Sequence, residues 1–218
     1  MENVKADKAN VLKTLVGVSV VALVAASSAL ANPLDPTVVT ANVGIIGVGT
    51  TNVTINNNTL RSIVNWGDFS IGVGEKTTIN QIAPNAAILN RVIGNNVSQI
   101  YGQLNSNGQV YLINEHGIVV GASGVVDTNG FVASTLNVSN TDFIGNGNML
   151  FKQTIQGAGG IKVYGTIKSV SGGDVFLLSR EIEIGETGKI NTAGYVGLGA
   201  GEELLLKPVD SGDGCISI

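Results

Sequence analysis

The sequence predicts an all-β fold: a right-handed parallel β-helix (a β-solenoid) with about 20 residues per coil. Short apolar runs rich in β-branched residues recur along the chain and are separated by turn sequences such as Asn107-Gly108. Near the C-terminus the apolar residues repeat at a fixed interval, since Val175 and Leu177 are followed 21 residues later by Val196 and Leu198. No helical period persists between these runs, which disfavours leucine-rich repeats.

The composition fits this fold and excludes several other classes of protein. Apolar residues make up 44% of the chain and charged residues 13%, with 30 glycines. The chain is too apolar for a disordered protein, and too rich in glycine and poor in aromatic residues for an ordinary helical enzyme. The formal net charge of -4 comes without a basic patch, so we expect no nucleic-acid partner.

The first 31 residues predict an export signal. A lysine-bearing segment precedes an apolar run from Leu15 to Ala26, and Ala29-Leu30-Ala31 forms a cleavage box. We therefore expect cleavage between Ala31 and Asn32. The alternative, a membrane anchor, is disfavoured because the apolar run is short for a span of about 20 residues. The predicted organisation is a signal peptide over 1–31, a β-helical domain over 32–208 and a C-terminal tail over 209–218.

The chain has one cysteine, Cys215, so it cannot form an internal disulfide. Cys215 is interpreted either as a site of intermolecular bonding or attachment, or as an incidental thiol in the tail. We favour the incidental thiol, because the surrounding residues do not resemble another coil.

The middle of the chain predicts strands and one projecting element. Glu75–Asn90 is expected to form a strand, a turn at Pro84 and a second strand. Asn140–Gly160 is expected to include a loop or hairpin that projects from the main stack, and it allows a short helix around Thr141–Ile144. Trp66, the only tryptophan, is assigned to the core or a cap in preference to a sugar-stacking role.

Candidate catalytic residues are few. His116 beside Glu115 suggests a base or a metal ligand, but neighbouring residues in a turn seldom converge on one metal, and no second His or Cys ligand lies nearby in sequence. Glu181 and Glu183 suggest paired glycosidase carboxylates, but their alternation with isoleucines places them on the outward face of a strand. We therefore predict no enzyme activity, no catalytic residue, no metal and no cofactor.

The stretch from Arg91 to Leu136 carries a family resemblance. The segments SNGQVYLIN, over Ser106–Asn114, and ASTLN, over Ala133–Asn137, are specific. The stretch resembles the N-terminal secretion domain of two-partner-secretion exoproteins, the filamentous-haemagglutinin-like family of adhesins, haemolysins and contact-dependent toxins. The resemblance extends upstream through Asn65–Gly72 and downstream to about Gly201.

One motif departs from the family pattern. The family has Asn-Pro-Asn-Gly where this chain has Asn114-Glu115-His116-Gly117, hereafter the motif turn. Proline at the second place of a type I turn presets φ, whereas Glu115 adopts that φ without enforcing it. The motif turn is our candidate secretion determinant, acting either in recognition or in folding.

The resemblance implies a cap over residues 32–60, which the fold also needs because an uncapped solenoid exposes a pairing edge. It implies transport by the general export machinery into the periplasm of a Gram-negative bacterium, and then through an outer-membrane β-barrel transporter to the cell surface or medium. Recognition by strand addition at the N-terminal region is expected.

Two other function classes remain open: a stand-alone module that binds host surfaces or glycans, and a β-helical polysaccharide-active enzyme.

Overall fold

A computed structural model describes residues 32–40, 42–169, 172–208 and 216–217. Ala31 and Cys215 lie outside these residues, as do the predicted signal peptide and most of the predicted tail. The first half of the described chain contains β1 (Thr37–Val38), β2 (Val43–Ile46), β3 (Asn52–Asn57), β4 (Arg61–Trp66), β5 (Lys76–Gln81), β6 (Ala87–Val92), β7 (Ser98–Ile100), β8 (Gln103–Ser106), β9 (Gln109–Ile113), β10 (Ile118–Val120) and β11 (Val125–Asp127). The second half contains β12 (Phe131–Ser134), β13 (Asn137–Val138), α1 (Asn140–Gly145), β14 (Met149–Lys152), β15 (Ile161–Val163), β16 (Thr166–Ser169), β17 (Val175–Ser179), β18 (Ile182–Ile184), β19 (Lys189–Thr192), β20 (Val196–Ala200), β21 (Glu203–Pro208) and β22 (Ile216–Ser217).

Three sheets form the walls of a solenoid. Sheet A has the order β1-β4-β6-β9-β12-β17-β20, sheet B the order β19-β16-β11-β8-β5-β3-β2, and sheet C the order β18-β15-β10-β7. Strands that are neighbours in a sheet belong to successive coils and pair in parallel; only β1 and β2, at the N-terminal end, pair antiparallel. The predicted parallel β-helix is therefore confirmed.

The register confirms the repeat found in the sequence. Val175 pairs with Val196 and Leu177 with Leu198, and Ile161 pairs with a residue 21 positions later. The coils average about 23 residues, slightly more than the predicted 20, over about six turns. The additional residues lie in the corners, where Asn and Gly are tolerated in turns.

The interior of the solenoid is a set of apolar ladders. Val110, Phe131 and Val175 stack in successive coils of sheet A and are 0%, 1% and 0% exposed. Full burial of one such side chain contributes roughly 1.5–3 kcal/mol relative to leaving it in water. The same ladder ends at Val196, which is 46% exposed, so the C-terminal rung of the solenoid is open among the described residues.

The N-terminal end is closed by polar and aromatic side chains. Trp66 is fully buried, donates from Nε1 to Oδ1 of Asn90 at 3.1 Å and packs edge-on against Phe69. Its predicted place in the core is confirmed. Asn32, the first described residue, is also fully buried; its Nδ2 donates to the Thr50 carbonyl at 2.6 Å, and its Oδ1 accepts from the Thr77 hydroxyl at 3.1 Å. Asn32 is therefore part of the cap.

A second layer covers the outer face of sheet A. This outer layer consists of α1 and an antiparallel sheet of order β13-β14-β21-β22. Its Phe143, Phe151 and Leu206 form a second core with Leu89 and Phe176 of sheet A, and all five are at most 2% exposed. The short helix that the sequence allows around Thr141–Ile144 is present as α1. The expected projecting loop or hairpin is not: β14 pairs with β13 and β21, and the segment packs flat on sheet A because its phenylalanines bury against outward-facing apolar residues of that sheet. The last strand of the predicted β-helical domain, β21, belongs to this layer and not to a coil.

The helix α1 begins and ends with recognisable caps. The Ser139 side chain accepts from the Asp142 amide at 3.0 Å, and Asn146 ends the helix in the left-handed region at φ 53°.

No helix among the described residues is long and apolar enough to cross a membrane.

Candidate functional site

The motif turn joins β9 of sheet A to β10 of sheet C, and Asn114 is its buried centre. Asn114 is 0% exposed. Its side-chain amide donates to the Asn96 carbonyl and to the Ser98 hydroxyl, both at 2.9 Å, and its Oδ1 accepts from the His116 amide at 2.9 Å. The Asn114 side chain therefore ties the turn to the preceding coil and also closes the turn on itself, as Asx turns do.

Glycine is required at the last position of the motif turn. The Gly117 amide donates to the Asn114 carbonyl at 3.1 Å, and Gly117 adopts φ 123°, a region that residues with a Cβ rarely enter. A neighbouring glycine also approaches closely: a Cβ on Gly159 would lie 2.2 Å from the His116 carbonyl oxygen. The positive φ of Gly117 and the close approach of Gly159 to the His116 carbonyl therefore both restrict the main chain of the turn.

Glu115 has a role that a proline could not fill. Its carboxylate accepts from the Thr154 amide at 2.7 Å and from the Thr154 hydroxyl at 2.6 Å, with a longer contact of 3.4 Å from the Asn137 side chain. The Glu115 carbonyl also accepts from the Gly159 amide at 2.7 Å. Glu115 therefore fastens the motif turn to both ends of the outer-layer insertion, which leaves the solenoid near Asn137 and returns near Gly159.

Two arginines on sheet A fasten the same insertion. Arg91 donates to the Asn137 side chain at 3.0 Å, the Val138 carbonyl at 2.6 Å and the Asn140 side chain at 2.7 Å. Burial lowers the pKa of Arg91, and the nearby negative charge of Glu115 partly offsets this effect. The Arg91 guanidinium stays charged at neutral pH, so its three hydrogen bonds to the insertion are charge-assisted.

Arg61 is the second of these arginines. It donates to the Phe143 carbonyl and, at 2.6 Å, to Oδ1 of Asn146. Its guanidinium lies 4.2 Å from the centre of the Phe143 ring, a cation–π distance. Burial lowers the pKa of Arg61, although the guanidinium stays protonated. Sequence reasoning missed both arginines, because their partners lie far along the chain.

His116 is half-buried in the motif turn. Across the described part of the chain, no three His, Cys, Asp or Glu residues come together in a way that could hold a metal ion. Glu183, the other acid considered from sequence, forms an ion pair with Lys162 at 3.3 Å on the outer face of sheet C and accepts from the Tyr164 hydroxyl at 2.7 Å. The described side-chain contacts of the motif turn are hydrogen bonds to the preceding coil and to the outer-layer insertion.

Glu115→Ala is expected to loosen the returning end of the insertion. The Thr154 amide and hydroxyl would lose their acceptor, so amide exchange at Thr154 should accelerate about tenfold, corresponding to a net loss of about 1.4 kcal/mol. Hydrogen exchange read by mass spectrometry over residues 152–156 measures this. His116→Ala is the matched control, since no described hydrogen bond uses its imidazole. Equal exchange in wild type and Glu115→Ala would contradict the proposed fastening.

Comparisons with known proteins agree with this architecture. A sequence model of the TPS (two-partner secretion) secretion domain matches residues 31–214. The crystal structure of the HMW1 secretion domain from Haemophilus influenzae superposes with a TM-score of 0.77 at 32% identity, covering 86% of this chain and 49% of that one.

Similar curated proteins are much longer than this chain. A heme/hemopexin-binding protein of Haemophilus influenzae strain Rd is 31% identical over 166 residues, covering 71% of this chain and 18% of that protein. A second Haemophilus influenzae heme/hemopexin-binding protein is 35% identical over 83 residues, covering 38% of this chain and 9% of its own length. The match of the family model to most of the chain, together with the shared solenoid, shows that this chain belongs to the TPS secretion domain family of two-partner-secretion exoproteins.

Proposed function

We propose that this chain directs its exoprotein through a cognate outer-membrane β-barrel transporter after the general export machinery has delivered it to the periplasm. The observation that carries the proposal is the family match over residues 31–214 on a capped parallel solenoid. The export signal expected over residues 1–31 supports the first membrane crossing. The signal would be removed between Ala31 and Asn32, and Asn32 would then take its buried place in the cap.

We further propose that the transporter binds the N-terminal end of the solenoid by strand addition. Sheet B ends at β2, whose partner on one side is β3, so its other edge has no strand beside it among the described residues. Along β2, Val43 and Ile45 pack toward the interior, while Ile46 is 66% exposed. A free strand edge beside an exposed apolar side chain is the surface that an extended partner segment recognises.

Ile46→Lys tests this surface. A lysine on an edge strand disfavours pairing with another strand, so transporter-dependent secretion should fall about tenfold, as expected for a loss of about 1.4 kcal/mol in binding. The melting temperature should not change, because Ile46 is exposed. Ile82→Lys is the matched control, since Ile82 is 55% exposed at a corner of the solenoid. Equal secretion of the two variants would rule out β2 as the recognition edge.

The motif turn is proposed to support secretion through folding and not through direct contact. Its central side chain, Asn114, is fully buried, and every polar atom of that side chain already has a partner within the protein. A buried amide offers nothing for a transporter to bind on a folded surface. The motif turn would instead be needed for the coil and the outer layer to fold correctly.

The class of exoprotein is a further proposal. The sequence resemblance is the basis for proposing an adhesin-type exoprotein of the filamentous-haemagglutinin kind. Two similar proteins are named for heme/hemopexin binding, which supports testing this chain's exoprotein for ligand binding as well. Neither a stand-alone glycan-binding module nor a polysaccharide-active enzyme gains support from the comparisons. Titration of the secreted chain with heme, with hemopexin and with a panel of host glycans would separate these possibilities.

A further inference from the structure

The sequence contains Asn-Gly pairs at 107–108, 129–130 and 146–147. In such a pair the main-chain nitrogen of the glycine can attack the side-chain amide carbon of the asparagine, and a glycine offers no side chain to hinder it. The new carbon–nitrogen bond closes a succinimide ring as ammonia leaves. Water then opens the ring to give aspartate or isoaspartate. We propose that Asn146 is the deamidation site of this protein, assisted by Arg61.

The surroundings of Asn146 leave the attack unhindered. Asn146 and Gly147 are exposed beyond the end of α1. A Cβ placed on Gly145 or on Gly147 would meet no atom within 4 Å, so this loop has open space on both sides of Asn146. The main chain can therefore rotate to bring the Gly147 nitrogen onto the amide carbon without displacing other residues.

Arg61 polarises the amide that is attacked. Its Nη1 donates to Oδ1 of Asn146 at 2.6 Å, and no described hydrogen bond holds the Asn146 Nδ2. Negative charge develops on Oδ1 when the amide carbon becomes tetrahedral, and a guanidinium beside that oxygen stabilises this charge. The Asn146 Nδ2 can therefore take up a proton and leave as ammonia.

Asn107 lacks this freedom. Its Oδ1 accepts from the Gln81 amide at 2.7 Å and its Nδ2 donates to the Gln81 carbonyl at 2.8 Å, so both side-chain atoms are held by the neighbouring coil. The attacking group is held as well, because the Gly108 amide donates to the Ser106 hydroxyl at 3.1 Å. Gly108 is buried, and a Cβ there would lie 2.6 Å from the Gln81 side chain.

Asn129 is restrained at the leaving nitrogen. Its Nδ2 donates to the Pro84 carbonyl at 2.9 Å, and its main-chain amide donates to the Gly108 carbonyl at 3.1 Å. The following Gly130 is buried in the wall of the solenoid. Rotation at this site would break contacts between successive coils, so attack is disfavoured while the protein is folded.

Conversion to aspartate would change the contact between sheet A and the outer layer. The neutral oxygen facing Arg61 becomes part of a carboxylate, and a hydrogen bond becomes a charge-assisted pair. Arg61 already binds the Phe143 carbonyl and covers the Phe143 ring. The aspartate product would therefore tighten the hold on α1 as the secreted protein ages, whereas isoaspartate lengthens the main chain at a capping residue and would loosen it.

The test is peptide mapping by mass spectrometry of the mature chain incubated at neutral pH. Deamidation adds about 1 Da, and we expect it at Asn146 at least about tenfold faster than at Asn107 or Asn129. Gly147→Ala should slow the reaction at Asn146 without disturbing the fold, because no atom lies near the added methyl group. In concentrated urea all three asparagines should react at similar rates, which would show that the folded structure creates the selectivity.

Two outcomes would overturn the proposal. In the first, Asn107 or Asn129 reacts in the folded protein as fast as Asn146. In the second, Arg61→Gln leaves the rate at Asn146 unchanged or raises it, which would mean that Arg61 only restrains the loop. A severalfold slower reaction in Arg61→Gln, with melting followed in parallel to confirm folding, supports the assistance by Arg61.

Discussion

Leu177→Asp should unfold the solenoid and stop secretion. Leu177 is fully buried and lies between Ala133 and Leu198 in the interior ladder of sheet A. An aspartate there loses the packing of the leucine and buries a carboxylate with no partner, which together cost more than about 5 kcal/mol. This is comparable with the whole stability of a typical domain, about 5–15 kcal/mol. Circular dichroism and the yield in the culture medium would measure the two effects.

The control lies one coil further along the same ladder. Leu198 pairs with Leu177 but is 50% exposed at the open end of the solenoid, so an aspartate there stays in contact with water. Leu198→Asp should therefore cost much less stability than Leu177→Asp. We also propose that coil-by-coil folding outside the cell draws the chain outward, and secretion should then fall in the same order as stability. Normal melting and secretion of Leu177→Asp would contradict both the ladder and this mechanism.

Asn114→Ala is expected to have the second largest effect, destabilising the fold by about 2–4 kcal/mol. The substitution leaves the Asn96 carbonyl, the Ser98 hydroxyl and the His116 amide without the partner that now serves all three. Unpaired buried polar groups of this kind are costly because water cannot replace the lost contact. Chemical denaturation would measure the loss of stability.

Two further variants separate folding from recognition at the motif turn. Asn114→Asp keeps the acceptor for the His116 amide but places an oxygen against the Asn96 carbonyl, so it should also be destabilising. His116→Ala should stay within about 0.5 kcal/mol of wild type. We expect secretion to follow stability across these variants. A variant at Asn114 that folds normally but is not secreted would instead assign the motif turn to direct recognition.

The sequence predicted the solenoid itself because its signals are local and repeated. The 21-residue step from Leu177 to Leu198 is a direct consequence of the parallel register, in which stacked positions must carry similar side chains. The strands β5 and β6 and the helix α1 were also predicted from nearby residues. The predicted coil length of about 20 residues is slightly shorter than the observed average of about 23. The corners vary in length, and this variation does not change which side chains stack in the ladders.

The sequence did not predict the outer layer or the contacts that hold it. Phe176 and Leu178 alternate with the interior residues of β17, and simple alternation predicts a solvent-facing side. In the structure these outward residues are covered by Phe151 and Leu206, which lie on different parts of the chain. Likewise, the sequence interprets Glu115 as a weaker substitute for proline or as a neighbour of His116 in a metal or catalytic site, because nothing in the turn indicates a partner 39 residues away.

Secretion by a matched transporter tests the central claim most directly. The full chain would be expressed in a Gram-negative host with and without its cognate outer-membrane transporter, and the medium assayed for protein whose N-terminus is Asn32. We predict that mature protein appears in the medium only when the transporter is present. Retention in the periplasm in the presence of the cognate transporter, with the solenoid correctly folded on purification, would contradict the proposal that this domain directs two-partner secretion.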